Sequence, residues 1–311
     1  MEGIIKAICI SEKRGTEKKP IKSANLKVNH GIVGDAHAGS WHRQVSLLSY
    51  DKVKEFNEKG GHVDDGAFGE NILVEGIDFR NLPVGTLFSI GSAVLKMTQI
   101  GKECHSHCAI YHRVGDCIMP REGVFAEVVA EGTIHPGDVV QVTLPDINRP
   151  FSAAVITLSD KGFSGEREDK SGPMAVSILK EAGYDVIETL IIPDEPAMLK
   201  KELIRLADGR QVDLILTSGG TGFSMRDQTP EATMAVADRN APGISEYIRY
   251  RSSQITNRAM LSRGVSVIRK KTLIINLPGS PKAVKESLEF IIDGLDHGLK
   301  ILCGSASECA R

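Results

Sequence analysis

The sequence predicts two domains: a mainly-β first half, barrel or sandwich, and a three-layer α/β second half with a mostly parallel sheet. Three observations predict this. The 311 residues are enough for about two domains of ~150 residues each. The apolar rhythm changes midway from short runs broken by turn residues to alternating strand-like and helix-like segments. At the change stands "PDINRP" (145–150), with two prolines and little to bury. The expected division is 1–145, a linker at 146–150, and 151–311.

In the first half, "IIKAICI", "VSLLSY", "NILVEGI", "AVLKMTQI", "VFAEVVAEG" and "DVVQVTL" are apolar runs interrupted by Gly, Pro and Asp. Many short strands with frequent turns suit a barrel or a sandwich. The one helical segment is "YDKVKEFNEKGG".

In the second half, "AAVITLS", "DVIETLII", "VDLILTS" and "TLIINLPG" read as strands. The near-continuous apolar character of "VDLILTS" fits a parallel strand covered on both faces. "SGPMAVSILKEAG" reads as a helix capped by Ser171, with Pro173 in its first turn. Leu199, Leu203 and Leu206 share one face of "EPAMLKKELIRLAD". The last helix starts at Ser280 as cap and Pro281. Val284, Leu288, Ile291, Leu295, Leu299 and Leu302 then recur every three or four residues, a core-facing stripe. Alternating strands and helices imply an open α/β sheet.

Composition narrows the function classes. Net charge is −2 and only 5% of residues are aromatic, which argues against nucleic-acid binding and against anionic membranes. No apolar run approaches the ~20 residues of a membrane span. "MEGIIKAICI" lacks the charged start and apolar core of a signal peptide. The expected compartment is the cytoplasm, where the 6 Cys are thiols, ligands or catalytic groups.

The stretch "TSGGTGFSMRDQTPE" (217–231) follows a buried-strand pattern. In open α/β sheets ligands bind beyond the carboxyl ends of strands. Gly219, Gly220 and Gly222 remove side chains, so backbone N–H groups can reach phosphate oxygens. Ser218 and Thr221 add hydroxyls. Thr229, Pro230 and Glu231 look like a helix start with Thr229 as cap, and such a start attracts anions. Other strand ends bring Asp160, Ser164 and Asp169, then Asp194, then Gly279 and Ser280. Aspartates beside a phosphate cradle commonly hold Mg²⁺.

These stretches resemble the molybdopterin adenylyltransferases, the molybdopterin-binding family. "TLSDKGFSGEREDKSGP", "TSGGTGFSMRDQTPEAT", "NAPGISEYIR" and "LSRGVSVIRKKTLIINLPGSPKAV" carry the resemblance across about residues 151–303. It implies an enzyme that joins the terminal phosphate of molybdopterin to AMP from Mg-ATP and releases pyrophosphate. By resemblance, Ser218 and the Gly219–Gly220–Thr221–Gly222 loop hold phosphates. Asp160, Asp169 and Asp194 carry Mg²⁺ or orient the nucleotide. Asp227 and Glu231 shape the pterin and phosphate site, and Gly279 and Ser280 close the nucleotide side. The resemblance also implies a homotrimer.

"GKECHSHCAIYHRVGDC" places Cys104, Cys108 and Cys117 at C-x₃-C-x₈-C spacing, with His105 and His107 between. Zinc, an iron–sulfur cluster and ordinary thiols in a turn all remain open from this spacing. The first half also resembles a MOSC domain, the β-rich module named for the C-terminus of molybdenum cofactor sulfurases. "GIVGDAHAG", "RQVSLLS", "FGENILVEGIDFRNLPVGTLFSIGSAVLKMTQIGKEC" and "EGTIHPGDVV" carry this resemblance over about residues 5–143. It implies a barrel that binds the cofactor, with Cys104 bearing sulfur or ligating metal, although the usual "PC" is "EC" here. His37 and Arg43 would then contact cofactor phosphate. Lys102, His105 and His107 would favour a thiolate.

The sequence thus implies a protein of molybdenum cofactor biosynthesis. Its partners would be molybdopterin, ATP, and a molybdenum-insertion protein or apo-molybdoenzymes. A non-catalytic carrier of finished cofactor and a metal-binding regulator are the rivals. Acidic residues at several strand ends favour the enzyme, since a carrier has no need of Mg²⁺.

Overall fold

The computed structural model describes residues 1–102 and 117–304. Cys104 and Cys108 lie outside the described residues. The chain divides into two compact units, Met1–Asp146 and Ile147–Arg311.

The first unit contains β1 (Glu2–Ile10), β2 (Lys19–Ile21), β3 (Ala24–Lys27), β4 (Gly31–Ile32), β5 (Val45–Ser49), β6 (Ile72–Glu75), β7 (Leu87–Ile90), β8 (Ala93–Ile100), β9 (Val124–Ala130), β10 (Gly132–Ile134) and β11 (Val139–Thr143). The main sheet runs β11-β7-β8-β9-β5-β6-β1, and β1 pairs back onto β11, with β2 hanging on β1. Seven strands therefore close into a barrel rather than a sandwich. Closure uses the length of β1: Glu2 and Ile4 face Gln141 and Val139, while Ile8 and Ile10 face Ile21 and Lys19. A separate small sheet joins β10, β3 and β4.

The barrel has one parallel pair, β5 with β6. Such a pair needs a crossover, and the Tyr50–Glu58 helix supplies it. Val53 and Phe56 of that helix pack outside the barrel against Ala7, Leu48, Leu73 and Phe125. Inside, Val45, Leu47, Ile72, Phe88, Leu95 and Met97 are fully buried. The alternation along each strand separates these two cores.

The second unit contains β12 (Ser152–Leu158), β13 (Asp185–Ile192), β14 (Leu214–Ser218), β15 (Arg239–Asn240), β16 (Ser266–Arg269) and β17 (Thr272–Leu277), in the order β13-β12-β14-β17-β16-β15. The first four are parallel and the last two antiparallel. Val155, Leu216 and Ile275 point to the face covered by the Ser171–Glu181, Pro242–Ser253 and Pro281–Cys303 helices. Ile156, Ile215 and Ile274 point to the other, where Leu199 and Leu203 of the Pro196–Ile204 helix and Ala232 of the Thr229–Met234 helix pack. The result is three layers. The stripe from Val284 to Leu299 is buried as its spacing predicts.

Two helix starts differ from expectation. Ser171 is the first residue of its helix, not the cap. Asp169 does the capping: its Oδ1 accepts from the amides of Ser171 and Gly172 at 2.9 and 3.1 Å. A carboxylate two residues upstream outcompetes the hydroxyl because it accepts two orphan N–H groups at once. Thr229 likewise lies inside its helix, with Gln228 at the cap position. Ser280 does cap, accepting from the Ala283 amide at 3.2 Å.

Candidate functional site

Strand order positions the site. The chain leaves β12 toward β13 on one side, while β14 and β17 extend the sheet on the other. A crevice forms at the carboxyl ends where the order reverses, between β12 and β14. The loops after β12 and β14 carry Asp160 and the glycine run.

The glycines are required by geometry. Gly219 has φ +107°, and a Cβ there would sit 2.4 Å from the Leu158 carbonyl oxygen. Gly220 has φ +63°, and its Cβ would meet Thr229 Oγ1 at 2.3 Å. Both positions combine a left-handed backbone with close approach, so only glycine fits. The Gly219 amide donates to Leu277 O. Among the described residues, the amides of Gly220, Thr221 and Gly222 have no hydrogen-bond partner.

A second loop lies against the first. A Cβ at Gly279 would be 3.4 Å from Gly219 Cα. Ser218 Oγ is buried and donates to Pro278 O at 3.0 Å, so it fastens the two loops together. Ser171 Oγ donates to Gly279 O at 2.8 Å and brings in a third element. The start of the 23-residue Pro281–Cys303 helix follows directly. Amides of one loop and the N-terminus of a long helix thus converge, a cradle for phosphate.

Acidic groups surround the cradle. Asp160 Oδ1 accepts from the Asp194 amide at 3.0 Å, and Asp194 Oδ2 accepts from the Asp160 amide at 3.2 Å. Arg226 Nη2 reaches Asp160 Oδ1 at 2.9 Å and Glu195 Oε1 at 3.2 Å. The Asp194 amide, then Arg226, hold Asp160 below the usual carboxylate range. Asp194 moves the other way: burial raises it, and the charges of Asp160 and Asp227 add to that. Asp169 stands apart, its Oδ2 accepting from Thr157 Oγ1 at 2.8 Å while Oδ1 caps the helix. No group of three His, Cys, Asp or Glu close enough to hold a metal occurs among the described residues.

Arg263 ties together the glycine loop, Asp227 and Glu231, and was not singled out by sequence reasoning. Its Nε donates to Gly222 O at 2.7 Å, and its Nη groups bond Asp227 O and the Glu231 carboxylate. Asp227 Oδ2 accepts from the Ser224 amide at 3.1 Å. One guanidinium therefore ties the glycine loop to the next helix. A planar five-donor fork suits this task.

In the barrel, Lys18 Nζ lies 2.9 Å from both oxygens of Asp35. The Ser11 and His37 amides also donate to Asp35. Burial raises Asp35, but Lys18 and these amides outweigh it and hold the carboxyl low. Burial, then the Lys18 charge, holds His37 below its ordinary value, with Lys102 and Arg14 adding to that. Arg43 lies over the rings of Trp41 and Phe125 at 4.7 and 5.5 Å. Glu70 is fully buried, and burial pushes it up to about 7.

Comparison with known proteins assigns both halves. The family described as "Probable molybdopterin binding domain" matches residues 154–297. A curated molybdopterin adenylyltransferase of Haemophilus influenzae is 45% identical over 141 residues, covering 45% of this chain and 72% of that protein. That of Escherichia coli K12 matches at the same identity and coverage. The chain belongs to the molybdopterin-binding family. The MOSC family matches residues 34–141, so a MOSC domain precedes the molybdopterin-binding domain in one chain. A crystal structure of the molybdopterin biosynthesis enzyme MoaB from Thermus thermophilus is 46% identical over 50% of this chain and 97% of that one, with a TM-score of 0.48.

Within the molybdopterin-binding domain, the structure brings Asp160, Asp194, Gly219, Gly220 and Gly279 around one crevice. Asp227 and Glu231 join through Arg263. Asp169 adjoins this group through Ser171 rather than sharing the Asp160–Asp194 pair. In the MOSC domain, His37 sits beside the Lys18–Asp35 pair, and Cys117 packs at the edge of the outer core. No helix among the described residues is long and apolar enough to cross a membrane.

Proposed function

We propose that this chain works in molybdenum cofactor biosynthesis and that its second unit adenylylates molybdopterin. The observation that carries the proposal is the cradle of unpartnered amides at Gly220, Thr221 and Gly222, held against the Gly279–Ser280 helix start beside the Asp160–Asp194 pair. The 45% identity to curated molybdopterin adenylyltransferases supports it.

In this reaction the terminal phosphate oxygen of molybdopterin attacks the α-phosphorus of ATP. A new P–O bond forms, the α–β bridge breaks, and pyrophosphate leaves with the electron pair. Such transfers depend on positioning and charge neutralisation. Mg²⁺ arrives with ATP as part of the substrate. Mg²⁺ is usually held by one or two carboxylates plus phosphate oxygens, and the facing pair of exposed Asp160 and half-buried Asp194 suits that donor set. The loop amides take the negative charge of the phosphates. Arg263 keeps the loop, Asp227 and Glu231 in register for the pterin side. Asp169 holds the start of the Ser171–Glu181 helix and so sets one wall of the site.

The first unit, in the same proposal, binds the pterin cofactor or carries its sulfur. Cys104 is the proposed thiol, with Cys108 and Cys117 as companions. His37, Arg43 and Lys102 supply a polar, partly cationic setting. The protein is further proposed to be a cytoplasmic homotrimer that passes product to a molybdenum-insertion protein or apo-molybdoenzymes.

The test is incubation of the full chain with molybdopterin and Mg-ATP, with mass detection of the products. Adenylylated molybdopterin and pyrophosphate in equal amounts are expected. Tight pterin binding without any adenylylated product would replace the enzyme by a carrier.

A further inference from the structure

A pocket of about 630 Å³ lies in the second unit, at the amino ends of β12 and β13. Phe151, Tyr184 and Ile292 line it, together with the exposed carboxylates of Asp293 and Asp296. We propose that this pocket is a ligand site for a small organic cation, a guanidinium or ammonium carried on an apolar chain. The proposal is independent of adenylyl transfer.

Its place separates it from the crevice. Phe151 and Tyr184 directly precede β12 and β13, whereas the cradle stands beyond the carboxyl ends of the sheet. The 7 residues of β12 span about 20 Å. Ala182 and Gly183 of the pocket follow the Ser171–Glu181 helix, and Ile292, Asp293 and Asp296 come from the middle of the Pro281–Cys303 helix onward. Both helices start beside the cradle, through Ser171 and Ser280. Pocket and cradle therefore occupy opposite ends of the same two helices.

Tyr184 supplies the observation that points to a ligand. Its side chain is only 8% exposed, and its hydroxyl is buried with no hydrogen-bond partner among the described residues. Such a group is costly to leave unsatisfied. Burial, then the charges of Asp296 and Asp213, push the hydroxyl up to about 12. It therefore stays neutral and can accept from an N–H group. Asp296, which acts on this hydroxyl, lines the same pocket. Charge selects the sign of the ligand. The basic side chains of the pocket are engaged: Arg149 bonds both oxygens of Asp213 at 2.7 and 3.1 Å, and Lys300 lies 2.6 Å from Asp296. The Asp293 carboxylate has no hydrogen-bond or ion-pair partner among the described residues. The charge left over is negative, which attracts a cation and disfavours an anion. The Phe151 and Tyr184 rings stand 6.3 Å apart and 37° from parallel, and ring faces attract guanidinium and ammonium groups. Ile147, Pro150 and Ile292 offer contact to an apolar chain. The volume lies within the range of ligand pockets.

The test is isothermal titration of the full chain with agmatine, a guanidinium and an amine on a short aliphatic chain, and with glutarate, a dicarboxylate of similar length. Agmatine is expected to bind at least ~10-fold more tightly than glutarate. Asp293→Asn should weaken agmatine binding by ~5-fold or more, because a charge-assisted contact is lost. Tyr184→Phe keeps the ring and removes the hydroxyl, and should weaken binding by ~3-fold or more. Glu289→Gln removes an exposed acid from the same helix outside the pocket and should leave agmatine affinity unchanged. Absence of agmatine binding, equal affinity for glutarate, or unchanged affinity in both folded pocket variants would each overturn the site. A loss in Glu289→Gln equal to that in Asp293→Asn would reduce the effect to general surface charge and overturn it too. None of these results bears on adenylyl transfer, which is read from its own products.

Discussion

Two ion pairs, one in each unit, share a 2.9 Å contact and differ in almost everything else. Lys18 and Asp35 in the barrel are 3% and 0% exposed, whereas Arg226 and Asp160 at the crevice are 54% and 46% exposed. Distance therefore says little about what a pair contributes. In the barrel both charges have left water, and each depends on the other and on the Ser11 and His37 amides. At the crevice water and salt screen the pair, so it can open when a charged substrate arrives. The first unit uses buried charge to fasten two of its connections, and the α/β unit keeps charge available.

The largest expected effect follows from breaking the buried pair. Lys18→Met should destabilise the first unit by about 3–5 kcal/mol, because the Asp35 carboxylate is left buried without a counter-charge. Adding Asp35→Leu should recover much of that loss. Urea denaturation of the three proteins checks both statements. A loss below about 1 kcal/mol, the range of an exposed pair, would mean that the amides alone support the carboxylate.

An intermediate effect should appear at Glu70. Burial pushes its carboxyl from 4.5 to about 7. The folded state thus holds this proton more tightly than the unfolded state. Its contribution is complete below pH 4.5 and is lost as pH rises through 7, by up to about 3 kcal/mol. Glu70→Gln cannot titrate and should flatten stability across that window. Urea midpoints at about pH 5 and about pH 7.5, on either side of most of the transition, decide it; an unchanged slope would place the pH dependence elsewhere.

The smallest effect belongs to the exposed pair. Arg226→Gln should leave the urea midpoint nearly unchanged, because water and salt screen the exposed pair. A loss as large as that of Lys18→Met would erase the contrast between the two units.

How much of this is legible in the sequence varies with the range of the interaction. Ser280 is readable as a cap because its partner, Ala283, is three residues away. The Val284–Leu299 stripe is readable because helix geometry alone puts those residues on one face. Ser171 and Thr229 look like caps in the sequence and are not, since hydroxyl residues beside a helical pattern are frequent and a competing neighbour, Asp169 in the first case, decides in three dimensions. Arg263 leaves no local trace: its partners Gly222, Asp227 and Glu231 are 32 to 41 residues earlier.

By itself the sequence determined the two-unit division, the α/β layering and the family motifs, because apolar periodicity and short-range turn chemistry are written in neighbouring residues. Only the tertiary structure decided the rest. It closed the expected barrel by pairing Glu2 with Gln141 across the length of the unit. It set Asp160 against Asp194 and Gly279 against Gly219, and it left Asp169 on a neighbouring wall. Those contacts depend on strand order, and a one-dimensional pattern carries strand identity without carrying order.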